Sequence, residues 1–361
     1  KSRILQCTDC HKAHGIMPVK SPLSPVYPLN VPKTCAKCHS DAVYMRTYNP
    51  SLPTDQYQKY LISRHGKLNS KGDPKPAECV SCHGGHDISH VGDPNSRVYK
   101  IKLPYTCSGC HSNKEYMAGY DIPTDQFEKY SRSVHGKALL EKNLSGAPAC
   151  NDCHGNHAAT PPGVTSISQV CGTCHPLNLE LFAGSPHKIA FDKNNYPECE
   201  TCHGNHEIIT AELSLTGESI RSACSKCHSS NKNSKGYLAA ETMRMFWDSL
   251  YRSISNAKIL IGEARQKGME ISEAEFKLRD VNQAVQEART TIHSFNQDKF
   301  KEVVKDKGLK VTGEVLTEAK EAVHEYYFRR IGLAVSIGIM SLLAVALFFY
   351  IRQLDNKNKF H

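Results

Sequence analysis

Eight times in its first 230 residues the chain repeats one five-residue pattern: two cysteines separated by two residues, with a histidine directly after the second. The cysteine pairs are Cys7 and Cys10, Cys35 and Cys38, Cys79 and Cys82, Cys107 and Cys110, Cys150 and Cys153, Cys171 and Cys174, Cys199 and Cys202, and Cys224 and Cys227. The histidines that follow them are His11, His39, His83, His111, His154, His175, His203 and His228. These motifs use all 16 cysteines, so no thiol remains for a disulfide or a catalytic nucleophile. A disulfide scaffold or several zinc ribbons would also draw on many cysteines. Neither explains a histidine in the same place every time. Two thiols that can form thioethers with haem vinyl groups, beside an imidazole that can ligate the iron, do explain it. The expected cofactor is therefore haem c, eight copies, each covalently held.

The motifs sit inside a longer repeat. TCSGCHSNKEYM at Thr106 restates TCAKCHSDAVYM at Thr34, and PTDQFEKYSRSVHGK at Pro123 restates PTDQYQKYLISRHGK at Pro53. Each unit opens on one CxxCH, passes a linker histidine and closes on CHGxH, as in CVSCHGGH at Cys79 and CNDCHGNH at Cys150. A shortened third unit runs from Cys171 through SPHK around His187 to CETCHGNH at Cys199. Cys7 to His14 reads as a closing half, and Cys224 to His228 as an opening half. Repetition of this kind predicts an array in which each unit contacts its neighbours.

Eight further histidines precede residue 230: His14, His65, His86, His90, His135, His157, His187 and His206. Supply matches demand if every iron takes a proximal and a distal imidazole. Surface or core histidines would not recur at equivalent positions, as seven of these do. His90 does not recur, so the eighth distal ligand is His90 or else His293, Met17, Met45 or Met117. His83 and His86 are three residues apart, about one helical turn on the same side of the chain. His86 cannot then reach around the haem held by His83, and it is expected to ligate an adjacent one.

Residues 1–230 are poor in long apolar runs and rich in Pro, Gly, Asn and Ser. Porphyrin faces would supply the apolar surface that such a chain lacks, giving a mainly α head with extensive irregular loops wrapped on the cofactors. Little protein is left per haem to shape a substrate chamber. The formal charge of +9 is reduced by the haem propionates, and no nucleic-acid signal accompanies it. The chain starts at Lys1 without an apolar leader, which is read as a processed, exported form.

After residue 230 the pattern changes. Met243, Trp247, Leu250, Ile254, Ala257, Ile261 and Ala264 alternate spacings of four and three, the seam of a packed helix. Lys267 and Gly268 end it, and Ser272 with Glu275 reads as a capping box for a second helix. That helix has the seam Ala274, Leu278, Val281, Val285, Ala288, Ile292 and Phe295. A third helix is expected from about Thr312, past Gly308, with Val315, Ala319, Ala322 and Tyr326 on one face and His324 about two turns above the bilayer. Ile331 to Ile351 is an uncharged run long enough to span a membrane. Arg329 and Arg330 precede it and Arg352, Lys357 and Lys359 follow, so charge alone does not set its direction. The expected domains are 1–230 (octahaem head), 231–330 (helical hairpin or stalk), 331–351 (transmembrane helix) and 352–361 (cytoplasmic tail).

The CxxCH repeats with their CHGxH and SxHGK elements resemble the multihaem c-type cytochromes, in particular the octahaem, doubled-CxxCH and cytochrome c3/c554-like proteins, here membrane-anchored. The resemblance covers residues 1–230. By position it makes the CxxCH cysteines attachment sites, and His65, His135, His187 and the CHGxH histidines distal ligands. It implies electron transfer between a membrane quinol-linked respiratory complex and periplasmic or extracellular redox partners. The lipid bilayer holds the C-terminal helix, and the haem domain lies outside a bacterial or archaeal cytoplasmic membrane. Octahaem reductases of nitrogen or sulfur oxyanions are the competing relatives. Some of these carry CxxCK or one open iron, whereas all eight motifs here end in histidine. Quinol dehydrogenases of the related type have an N-terminal anchor, unlike this chain. A self-assembling extracellular filament is a third reading, weakened by the anchor. An electron-transfer subunit is expected rather than a catalyst, and no catalytic residue is assigned.

Overall fold

The computed structural model describes residues 5–163, 166–211, 215–217, 222–228 and 231–358. Lys359 and the boundary drawn at residue 230 lie outside them. Among the described residues there are helices and turns and no strand. Two compact units result, Lys1–Leu179 with Ala190–Thr210, and Glu180–Ile189 with Ala211–His361. The eighth CxxCH motif thus belongs to the second unit.

In the first unit the helices are one to three turns long, and their boundaries follow the repeat. Opening motifs end nine-residue helices, Val31–His39 and Leu103–His111, each with proline in the first turn where no amide hydrogen is needed. A staircase of three-residue turns leads into each. The Ser24 amide donates to the Ser21 carbonyl, the Tyr27 amide to that of Ser24 and the Asn30 amide to that of Tyr27, and Ser96, Tyr99 and Lys102 repeat the ladder. Thr34 Oγ1 donates back to the Pro25 carbonyl, as Thr106 Oγ1 does to that of Arg97.

The SxHGK element is a sharp corner between two short helices, Gln56–Ile62 and Arg64–Ser70. Ser63 Oγ accepts from the Gly66 amide at 2.9 Å and donates to the Tyr60 carbonyl at 2.6 Å. Ser133 makes the same two bonds with Gly136 and Tyr130. A β-carbon at Gly66 would lie 1.9 Å from the Tyr60 carbonyl oxygen, and one at Gly136 equally close to that of Tyr130. Only glycine fits, and the corner projects the histidine between the two residues. Tyr60 Oη and Tyr130 Oη then donate to the Ala77 and Pro148 carbonyls, just before the closing motifs.

Closing motifs form single-turn helices, Cys79–His83 and Cys150–His154, with Glu198–His203 in the shortened unit. Each stops on a glycine with positive φ: Gly84 at 80°, Gly155 at 80° and Gly204 at 77°. The helix therefore ends before His86, and the one-turn relation expected between His83 and His86 is absent. It is the left-handed glycine that turns the second histidine away. Successive repeats are tied through backbone: the Arg64 amide donates to Ala159 at 3.0 Å and the Val134 amide to Ile208 at 2.9 Å.

The second unit is built on helices α1 (Lys235–Gln266), α2 (Ser272–Thr291), α3 (Gln297–Glu302) and α4 (Lys310–Asn358), with wider π-type turns over Val303–Leu309 joining α3 to α4. Ser234 caps α1 by accepting from the Tyr237 amide. The seven seam residues read from the sequence of α1 are its buried residues. On α2 the buried set is Ala274, Val281, Ala284, Val285 and Ala288, with Leu278 and Ile292 partly covered. The capping box does not form. Ile271, 9% exposed, is the N-cap and packs into the core, so Ser272 is already helical and Glu275 pairs with Arg265.

The helix expected from Thr312 begins earlier, because Gly308 is not a break. A β-carbon there would lie 2.8 Å from Leu250 Cδ1, so this glycine lets the chain pass close against α1. One core cluster joins Met243, Trp247, Leu250 and Ile254 to Val281, Val285, Phe300 and Val304. A second joins Ala257, Ile261 and Ala264 to Ala274, Val315 and Ala319. Leu250, fully buried, contributes roughly 1.5–3 kcal/mol by leaving water. These pairings show α1 and α4 descending side by side in the same direction, with α2 returning between them. Beyond the bundle α4 continues as an exposed apolar helix, long and apolar enough to cross a membrane.

Candidate haem-binding sites

Six pairs of histidine rings face one another. His11 stands 6.0 Å from His86, His83 6.2 Å from His157, and His154 5.9 Å from His206, all within 15° of parallel. His111 stands 6.1 Å from His65, His175 6.4 Å from His135, and His228 5.9 Å from His187, at wider angles. Each pair joins one CxxCH histidine to one of the second set. In the closing motifs the partner comes from the closing motif two further along the chain. In the opening motifs it comes from the linker corner just before.

The separations test the fit of a cofactor. An imidazole nitrogen binds a first-row metal at about 2 Å and the ring centre lies about 1 Å behind it, so rings on opposite sides of one iron are about 6 Å apart. All six pairs have that spacing. Among the described residues no three or more His, Cys, Asp or Glu side chains converge as a single ion's shell. Burial holds the imidazoles of His65, His83, His111, His135, His157, His187 and His206 below the usual histidine range, and a second imidazole, or Lys59 for His157, adds to it. They are neutral near pH 7, the form that ligates a metal.

The cysteines follow the chain in space. Cys35 touches Cys79, Cys107 touches Cys150, and Cys171 touches Cys199, the first cysteines of opening and closing motifs in each unit. Between units, Cys10 lies beside Cys35 and Cys38, Cys82 beside Cys107 and Cys110, and Cys153 beside Cys171 and Cys174. Seven motifs therefore form one row in sequence order. None of the 16 cysteines is disulfide-bonded.

The remaining candidates are placed differently. His39 is exposed, and His203, half-buried among neighbours of its own, also lies outside the six pairs. His14 and His90 are exposed and face no CxxCH ring, and His90 Nδ1 accepts from the Gly92 amide in its own turn. Met45 and Met117 are buried at equivalent helix ends, in core positions. Two contributors went unread in the sequence. Phe295 lies 3.7 Å from the His187 ring, and Gly236 supports His228, whose ring would be 2.4 Å from a β-carbon there. A glycine directly after a helix cap and an aromatic at the end of a seam were the available signals.

Residues 3–44 match the family model of the doubled CXXCH motif. The match supports a multihaem c-type cytochrome, and the motifs indicate covalently bound haem c. No curated protein matches the chain, and no solved structure does. When bound, haem supplies a one-electron centre whose potential is set by axial ligands, burial and nearby charge. Here the chain's part is to hold two neutral imidazoles opposite each other and to set successive attachment points side by side.

Proposed function

We propose that the chain relays electrons through eight bis-histidine haems c, between a membrane quinol-linked respiratory complex and periplasmic or extracellular redox partners. The observation that carries this reading is the set of opposed imidazoles at 5.9–6.4 Å. Two strong ligands per iron exclude reactants and favour transfer over catalysis. The row of attachment cysteines supports transfer from one haem to the next. The exposed apolar end of α4 supports a single-pass anchor, and covalent haem attachment, a step carried out outside the cytoplasmic membrane, sets the haem domain on the outer side. The ligands assigned to the irons of His39 and His203 are drawn from His14, His90 and His293.

Electron paramagnetic resonance of the oxidised holoprotein, with a haemochrome count per chain, tests this. Eight haems and low-spin signals alone are expected. An octahaem reductase of nitrogen or sulfur oxyanions is the second reading, and exposed His39, which lies outside the six pairs of facing imidazoles, is what favours it. A high-spin signal that nitrite or hydroxylamine shifts would decide for that reading.

A further inference from the structure

The second unit contains both the eighth motif and the apolar helix, and α1 connects the levels at which they sit. At its upper end the His228 ring packs over Gly236, one residue inside α1, and faces His187, which rests on Phe295. At its lower end Lys267, the C-cap, places its ammonium 4.9 Å from the Tyr326 ring and 4.8 Å from that of Tyr327, and donates to Tyr327 Oη at 3.1 Å. Arg330 also lies over the Tyr326 ring, 5.2 Å from its centre. This ring of tyrosines and cations comes one turn before Ile331, where the apolar run begins. Tyrosines and basic side chains at that position are the signature of the lipid headgroup layer.

Between the two ends α1 has 32 residues, about 48 Å at 1.5 Å per residue. The helix is unbroken and its buried face is filled from Met243 to Ala264 by α2, α3, the turns over Val303–Leu309 and α4. α4 descends beside it in register, from Gly308 against Leu250 to Tyr326 against Lys267. A membrane helix tilt of about 20° would shorten the rise only slightly.

We propose that the bundle is a rigid spacer that keeps the eighth haem site roughly 45 Å above the lipid surface, so that its redox partner is a protein carrying its own redox centre at that height. This rests on the haem and anchor readings above. Electron tunnelling falls off exponentially with distance, so a quinol dissolved in the bilayer does not reach this haem in one step. A protein whose own cofactors rise beside the stalk does.

The test uses full-length holoprotein in vesicles, labelled at single introduced cysteines with a fluorophore. Gln266→Cys reports the lower end and Lys235→Cys the upper, both exposed positions. A headgroup-attached quencher is expected to quench the first several-fold and leave the second unchanged. Equal quenching at both, or none at Gln266→Cys, overturns the spacer. In parallel, a lipid-soluble quinol in the same vesicles is expected to leave the eighth haem oxidised while dithionite reduces it. Quinol reduction as rapid as that by dithionite overturns the partner assignment. Absence of any dithionite-reducible haem would sink the electron-transfer reading, while the quenching arm still reports the stalk.

Discussion

His86 faces His11 across 6.0 Å, not His83, which precedes it by three residues. The left-handed Gly84 makes this possible, because it ends the motif helix and sends the chain toward the earlier site. His86→Ala should leave the iron at His11 with one protein ligand. A single high-spin ferric signal and binding of carbon monoxide by one haem are expected, with the remaining haems unchanged in the same spectra. A perturbed signal assigned to the His83 haem would contradict the pairing.

The corner glycines make a second prediction. Gly66→Ala and Gly136→Ala each drive a methyl group into a carbonyl oxygen at 1.9 Å, costing roughly 3 kcal/mol, the upper end for overpacking. Because the corner projects His65 or His135, the variants should also show a high-spin haem. Gly146→Ala, where a β-carbon meets nothing within 4 Å, serves as the control. Urea midpoints of the holoproteins, read at the Soret band, give the comparison.

Stability should fall on acidification. Burial depresses the imidazole pKa in His65, His83, His111, His135, His157, His187 and His206. The unfolded chain, with ordinary imidazoles near pKa 6.5, then binds protons that the folded one does not. Full stability is expected above about pH 6.5 and progressive loss below it. Urea midpoints measured from pH 8 to pH 5 should decline only in the lower part of that range.

The stalk should be separable from the seven haem sites of the first unit. Leu250→Ala removes a fully buried side chain and should cost about 2–5 kcal/mol. Helical circular dichroism should lose a thermal transition at lower temperature while the haem spectrum, apart from the share of the eighth haem, persists to its usual one. Gly308→Leu, aimed at the same contact from the turns that lead into α4, should act in the same direction.

The sequence carried the local chemistry and little of the long-range pairing. The CxxCH positions and the seam from Met243 to Ala264 were legible because each depends on spacing along one segment. Which histidine meets which was not, since CHGGH and CHGNH are nearly interchangeable and several sites could have taken His86. The turn after His83 was misread for a related reason: the glycine's backbone angle, not helical periodicity, sets the direction of His86. Ser272 and Glu275 have the residues of a capping box, but burial of Ile271 moved the helix start by one position. Gly308 carries the same letter as a loop glycine and serves instead as a packing contact.

The backbone ties from Arg64 to Ala159 and from Val134 to Ile208 bear on the order in which the sites are completed as the chain is made. A chain made from its amino end presents His11 well before His86, and His83 well before His157, so those pockets wait half-built. The pockets of His111 and His175 find His65 and His135 already present. Maturation would then proceed by alternating immediate and deferred completion, each stitch locking one pocket as the following repeat arrives.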